Sequence, residues 1–176
     1  VDDHCYDQGG NSACSINADY AEMMYSRQTD LEDGDVMVID PSSDAQGAEF
    51  VRSTKAYETQ VGGIYSENPA MVIGAEGTSI KGWQSDDPNA FPLALSGRKH
   101  VKVTTENGSI KKGDYLVTSS TEGHAMKLVG SGNVLGMALE DYDPAKGDKV
   151  LMIIQMFYKY DDTSVVRIFN TKINDI

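Results

Sequence analysis

Two stretches of this chain carry the same pattern: Leu31-Glu-Asp-Gly34-Asp35-Val-Met-Val-Ile39 and Ile110-Lys-Lys-Gly113-Asp114-Tyr-Leu-Val117. Each runs on through a Ser/Thr-containing loop into a short apolar segment, Phe50-Val-Arg-Ser-Thr54 in one copy and Ala125-Met-Lys-Leu-Val129 in the other. Each then closes on a glycine-centred segment, Val61-Gly-Gly-Ile-Tyr-Ser66 and Val134-Leu-Gly-Met-Ala-Leu139. A repeated supersecondary unit sets the architecture before any single element is placed. Glycine supplies a positive φ and aspartate bonds its local backbone, so each Gly-Asp pair reads as a turn opening a strand rather than as a metal ligand set. A third pair, Gly147-Asp148, opens the strand at Val150. Two similar β-units packed into one barrel or sandwich follow, with Gly62, Gly63 and Gly136 where backbones approach closely.

The rest of the chain reads the same way. Short apolar runs alternate with Gly, Asp, Ser, Asn and Pro punctuation, which predicts strands at 36–40, 50–54, 60–66, 92–95, 98–105, 114–119, 125–129, 134–140, 149–158 and 165–170. Val101, Val103 and Thr105 alternate with Lys102 and Thr104, the period of a sheet with one wet face. Val150 to Phe157 is nearly continuous, so it is expected to be buried on both faces or paired with another chain. Helical periodicity is confined to residues 17–25, where Asn17 can cap and Tyr20, Met23 and Met24 share a face. The expected fold is therefore all-β, a barrel or sandwich of two similar β-units with one short N-terminal helix. The expected divisions are a lead segment 1–18, a β-domain 19–160 duplicated over about 31–66 and 110–140, and a C-terminal strand or tail 161–176.

Charge narrows the partners. The 176 residues hold 15 Lys plus Arg against 27 Asp plus Glu, a net charge of −12. That balance disfavours nucleic acid, whose phosphates select basic surfaces, and anionic membrane surfaces. The hydrophobic fraction of 40% suffices for a core, and the Val150–Phe157 run is far short of a membrane span. The acidic opening Val1-Asp2-Asp3 lacks the apolar core of a signal peptide and reads as a mature or excised piece.

Cys5 and Cys14 flank Gly9-Gly10-Asn11, a segment able to turn back on itself. A disulfide closing that loop is the preferred reading, with two free thiols the alternative. Such a bridge contributes ~2–3 kcal/mol in the chain-entropy model and places the protein outside a reducing cytosol. A metal site is disfavoured, because His4 stands alone beside the pair.

Other chemistry is sparse. Asp141, Asp143 and Asp148, and the pair Asp86-Asp87, lack the register of a calcium loop and read as solvated turns. No serine near His100 or His124 sits in a nucleophile elbow. Gly108–Gly113 has neither the glycine spacing nor the helix of a phosphate loop, and Asn107-Gly108 reads as a hairpin turn rather than a glycosylation site. No cofactor and no metal are expected.

One segment carries a resemblance. Ala18-Asp19-Tyr20-Ala21-Glu22, together with Val61-Gly-Gly-Ile-Tyr-Ser66-Glu-Asn68-Pro69-Ala-Met-Val72-Ile-Gly74, is similar to the C-terminal intramolecular-chaperone autoprocessing domain of phage tailspikes, tail fibres and appendages. Residues 91–98, 113–119 and 135–140 resemble the related modules of bacterial surface proteins. The likeness covers about residues 17 to 154. It implies a β-rich domain at the C-terminus of a fibrous homotrimer, extracellular or on a virion or cell surface, that helps three chains fold together. Its partners would be two further copies, an upstream fibre or stalk, and a cell-surface receptor or glycan.

In autoprocessing relatives the cut precedes the Asp of the Asp-Tyr-Ala-Glu segment, here the Ala18–Asp19 bond. Asp19 can reach its own preceding carbonyl, and Glu22, one helical turn on, would serve as acid or base. The plainer alternative is that both residues cap and solvate a short helix. The leading expectation is a structural, non-enzymatic assembly module. Self-cleavage at Ala18–Asp19 is the first alternative, and a receptor- or glycan-binding tip using Tyr57, Tyr65 and Trp83 is the second.

Overall fold

The two β-units are built alike, down to single hydrogen bonds. The structure, a computed structural model, describes residues 18–44, 48–74, 77–79 and 85–161. In the first unit, β2 (Val36–Ile39) pairs antiparallel with β3 (Phe50–Arg52) and with β4 (Val61–Tyr65). In the second, β8 (Tyr115–Thr118) pairs antiparallel with β9 (Ala125–Lys127) and with β10 (Gly132–Ala138). Both opening turns use one device. The Asp35 carboxylate accepts from the Glu32 N–H at 2.8 Å, and the Asp114 carboxylate accepts from the Lys111 N–H at 2.8 Å. Gly34, at φ 93°, donates to the Tyr65 carbonyl, as Gly113, at φ 90°, donates to that of Ala138. The two Gly-Asp pairs that open the units are turns.

A single long strand joins the units. β7 (Ala90–Lys102) replaces the two separate strands expected at 92–95 and 98–105, because Ser96 and Gly97 continue the ladder instead of breaking it. Ala94 pairs with Ala21 on one side and Ile64 on the other; Gly97 pairs with Asp19 and with Ile154. β4 and β11 (Lys149–Lys159) therefore abut end to end along one edge of β7, while β1 (Ala18–Tyr25) takes the opposite edge. The path β3-β2-β4-β7-β11-β10-β8-β9 curls so that its two ends meet. There Val36 donates to the Gly123 carbonyl, Gly123 to Ser53 and Tyr57 to Thr118. The core inside the curl draws on both units, including Val36, Ile64, Val101, Leu116, Leu135 and Met152. Each such side chain contributes about 1.5–3 kcal/mol by leaving water.

The expected N-terminal helix is instead a strand. Residues 18–25 form β1, antiparallel to β7 and parallel to β5 (Met71–Gly74). Asp19 and Ala21 point inward while Tyr20 and Glu22 point out, a period of two that an inward aspartate hides from a hydrophobicity reading. β5 and its hairpin partner β6 (Gly77–Ser79) were not expected either. In β11, Val150, Met152 and Ile154 are buried, but the segment after Ile154 is exposed, contrary to burial on both faces. Cys5, Cys14, Trp83 and the expected strand at 165–170 lie outside the described residues.

The close approaches fall where the repeat placed them. A Cβ on Gly63 would stand 2.5 Å from the Ala94 carbonyl oxygen, one on Gly136 2.2 Å from that of Ile153, and one on Gly62 2.3 Å from the Phe50 ring. Gly136→Ala is expected to lower stability by about 1–3 kcal/mol through forced separation of β10 and β11. The measurement is a fall in urea midpoint at unchanged m-value.

Candidate functional site

Strand β1 brings a carboxyl into the interior. Its Asp19 is fully buried, and neither side-chain oxygen has a hydrogen-bond partner among the described residues. The strand is held by main-chain contacts on both sides, with the Asp19 carbonyl accepting from the Ala70 N–H at 3.1 Å. Opposite lies Gly97, at φ 95°; a Cβ there would meet the Ala18 carbonyl oxygen at 2.2 Å and the Asp19 Cα at 2.8 Å. Only glycine lets β7 press this closely on the Ala18–Asp19 peptide.

Three side chains surround that carboxyl. The Ser66 hydroxyl, also buried, lies beside it, near enough to favour the ionised form but not aligned as a hydrogen bond. Lys99, fully buried, donates to Asp33, which also accepts from the Glu67 N–H at 2.9 Å and faces Lys149 at 3.6 Å. Burial pushes the Asp19 carboxyl above its ordinary 3.8, with Asp33 adding to the rise while Ser66 and Lys99 oppose it. Asp33 goes the other way. Burial disfavours its charge, but the Lys99 and Glu67 hydrogen bonds and the charges of Lys99 and Lys149 outweigh that and hold it low.

A second ionic cluster lies alongside. Lys102 donates to Asp35 at 2.8 Å and to Glu32, and Arg52 holds Asp30 and Glu122 at 2.9 Å each. These pairs tie the first opening turn to β7 and to the loop before β9.

The residues expected to act with Asp19 are elsewhere. Glu22 is exposed on the opposite face of β1, because three residues along a strand reverse the side-chain direction. The one-turn spacing to Asp19 assumed a helix that is not there. Tyr57 sits at φ 60°, its hydroxyl donating to the Val129 carbonyl and accepting from Val129 N–H and Asn107 Nδ2. Tyr65 packs edge-on against Phe91 at 5.8 Å in the second apolar cluster. The two tyrosines serve different neighbourhoods.

Lys99, Asp33, Ser66 and Gly97 were not singled out from the sequence. A signal for Lys99 was present: Gly97, Lys99, Val101 and Val103 alternate, and extending the valine face backward puts the lysine inside.

Asp19 supplies a pH test. Its folded-state value lies above the unfolded one, so the native state binds the extra proton. Its contribution to stability is whole below pH 3.8 and is lost as pH rises through the raised value. Asp19→Asn is expected to melt above the parent at pH 7–8, with the gap closing as pH falls toward 3.8. Paired thermal melts across pH give the comparison, and a constant gap contradicts the assignment.

No protein-family model matches this chain, and no curated protein matches it. Among solved structures, that of pre-mature bacteriophage phi29 gene product 12 matches at 13% identity and a TM-score of 0.41, over 80% of this chain and 22% of that one. That of the phi29 gene product 12 C-terminal fragment matches at 16% identity and a TM-score of 0.39, over 77% of this chain and 99% of that one. The chain thus spans about 22% of the length of the first of these proteins.

Proposed function

We propose that this domain is a structural and assembly module at the C-terminal end of a trimeric fibre, tail or cell-surface protein, extracellular or on a virion. The observation that carries the reading is the end of β11. Pairing with β7 stops at Ile154, because β4 occupies the same edge of β7 from Ala94 onward. Residues 155–159 continue with β10 as neighbour and form a two-stranded ribbon. Met156 and Phe157 are each 42% exposed, Tyr158 47%, Tyr160 69%, and nearby Val129 59%. The rings are already organised, with Phe157 edge-on to Tyr115 at 5.4 Å and Tyr158 to Tyr160 at 4.6 Å. A ribbon of two strands gains its stability from a surface that covers it, and clustered aromatics are the side chains that contribute most at interfaces. Two further copies of the same chain are the proposed cover. Sedimentation equilibrium is expected to give a trimer, and Phe157→Glu with Tyr158→Glu a monomer whose folded core still melts cooperatively. A parent protein that sediments as a monomer at micromolar concentration overturns the reading.

The buried Asp19 supports a second activity of the same module, self-processing at Ala18–Asp19. In this scheme the Asp19 carboxylate adds to the Ala18 carbonyl carbon through a six-membered ring. The carbon–nitrogen bond then breaks, and the nitrogen takes a proton from water to become a new terminal amine. Water hydrolyses the resulting mixed anhydride, restoring the Asp19 carboxyl and freeing the Ala18 carboxylate. Intact-mass analysis of the full chain is expected to show a fragment beginning at Asp19, absent from Asp19→Ala. An unprocessed parent chain at every pH overturns this second reading and leaves the first standing.

A further inference from the structure

We infer that Lys99, fixed in place by Asp33, is the positioning residue for self-processing at Ala18–Asp19. The inference rests on the self-processing reading and names what controls that site. Lys99 is fully buried, a state lysines adopt only when paired. Its pairing with Asp33 places an ammonium inside the fold on the face of β7 that also carries Gly97, and Gly97 is the register partner of Asp19. Asp33 in turn is anchored from two further elements, by the Glu67 N–H after β4 and by Lys149 at the start of β11. The ammonium is therefore held by a carboxylate that is itself fixed from two other segments, and it cannot swing out to water without breaking the Asp33 contact.

The groups that bear electrostatically on the Asp19 carboxyl are Ser66 after β4, Lys99 on β7, its own main-chain N–H and Asp33 before β2. No other residue among those described hydrogen-bonds its two oxygens, so its charge is governed by these groups and by burial. The attacking species in the scheme above is the carboxylate, and burial disfavours that charge. Lys99 and Ser66 oppose that effect, and Asp33 adds to it. Lys99 thus sets how much nucleophile is present without touching the bond that breaks.

The two charged neighbours give opposite signatures. Lys99→Met removes the stabilising cation, so the pH midpoint of processing moves up. The rate at a fixed pH below that midpoint falls, about tenfold for each whole pH step the midpoint climbs. Asp33→Asn removes the opposing anion and moves the midpoint down. The Asp33→Asn arm still tests the pair if Lys99→Met fails to fold, and Ser66→Ala, which leaves the pair intact, moves the midpoint up as a control on the same carboxyl. The rate of appearance of the Asp19-initiated fragment, followed by intact mass from pH 4 to about 9, reads all three in the full chain. Opposite displacements of the lysine and aspartate variants support the inference. A processed Lys99→Met with the parent's profile, or an Asp33→Asn whose midpoint does not fall, overturns it while self-processing stands; a parent that is never processed overturns both.

Discussion

The main-chain crossing at Gly97 is the contact on which the molecule turns. At this one residue β7 meets β1 through Asp19 and β11 through Ile154, and the absent side chain lets the Ala18–Asp19 peptide lie where any Cβ would collide. The two features that suggest function follow from that crossing. β1 can enter only because it fits against Gly97, and its entry forces Asp19 inward. β11 must leave β7 at the same level because β4 already holds the edge beyond, and its departure exposes the aromatic ribbon.

Burying a carboxyl without a partner costs about 1–3 kcal/mol, and the fold supplies an obvious remedy that it does not use. Lys99 is close enough to bias Asp19, yet its hydrogen bond goes to Asp33. Had the lysine bonded Asp19 directly, the pair would be an ordinary buried salt bridge. Leaving Asp19 without a direct partner makes its protonation depend on burial and on neighbours that do not bond it. The neighbouring Lys102–Asp35 pair shows the contrast: there the cation and carboxylate bond directly at 2.8 Å, and they close a turn.

The sequence made the duplicated units legible because turn chemistry is local. Gly34-Asp35 and Gly113-Asp114 fix their own hydrogen bonds within three residues, so the repeat and the tight approaches at Gly63 and Gly136 could be placed without knowing the fold. β1 was not legible. Ala, Glu and Met favour a helix in isolation, and the backbone partners that override this preference come from β5 and β7, distant in sequence. The break at Ile154 was hidden for a similar reason: the apolar run continues through Phe157, and only the position of β4 ends its burial. Of the site, Asp19 was found through a motif, whereas Asp33 and Ser66 sit in turns whose polar residues look solvated. Lys99 alone carried a pattern, the valine alternation it extends.

Charge distribution bears on how copies of such a chain could associate. At −12 each, they repel one another over the surface as a whole. Lys99 and Lys102 are spent on the partly buried Asp33 and the buried Asp35, while Lys102 and Arg52 also hold the exposed Glu32, Asp30 and Glu122. Around the ribbon the balance differs. Lys127 pairs with Asp114 at 2.9 Å and Lys159 lies 5.9 Å over the Tyr115 ring, so charges of both signs stand beside the exposed aromatics. At physiological salt charges beyond about 8 Å are largely screened, so the paired charges beside the aromatics exert little field at long range and the apolar contact area dominates the physics of that ribbon.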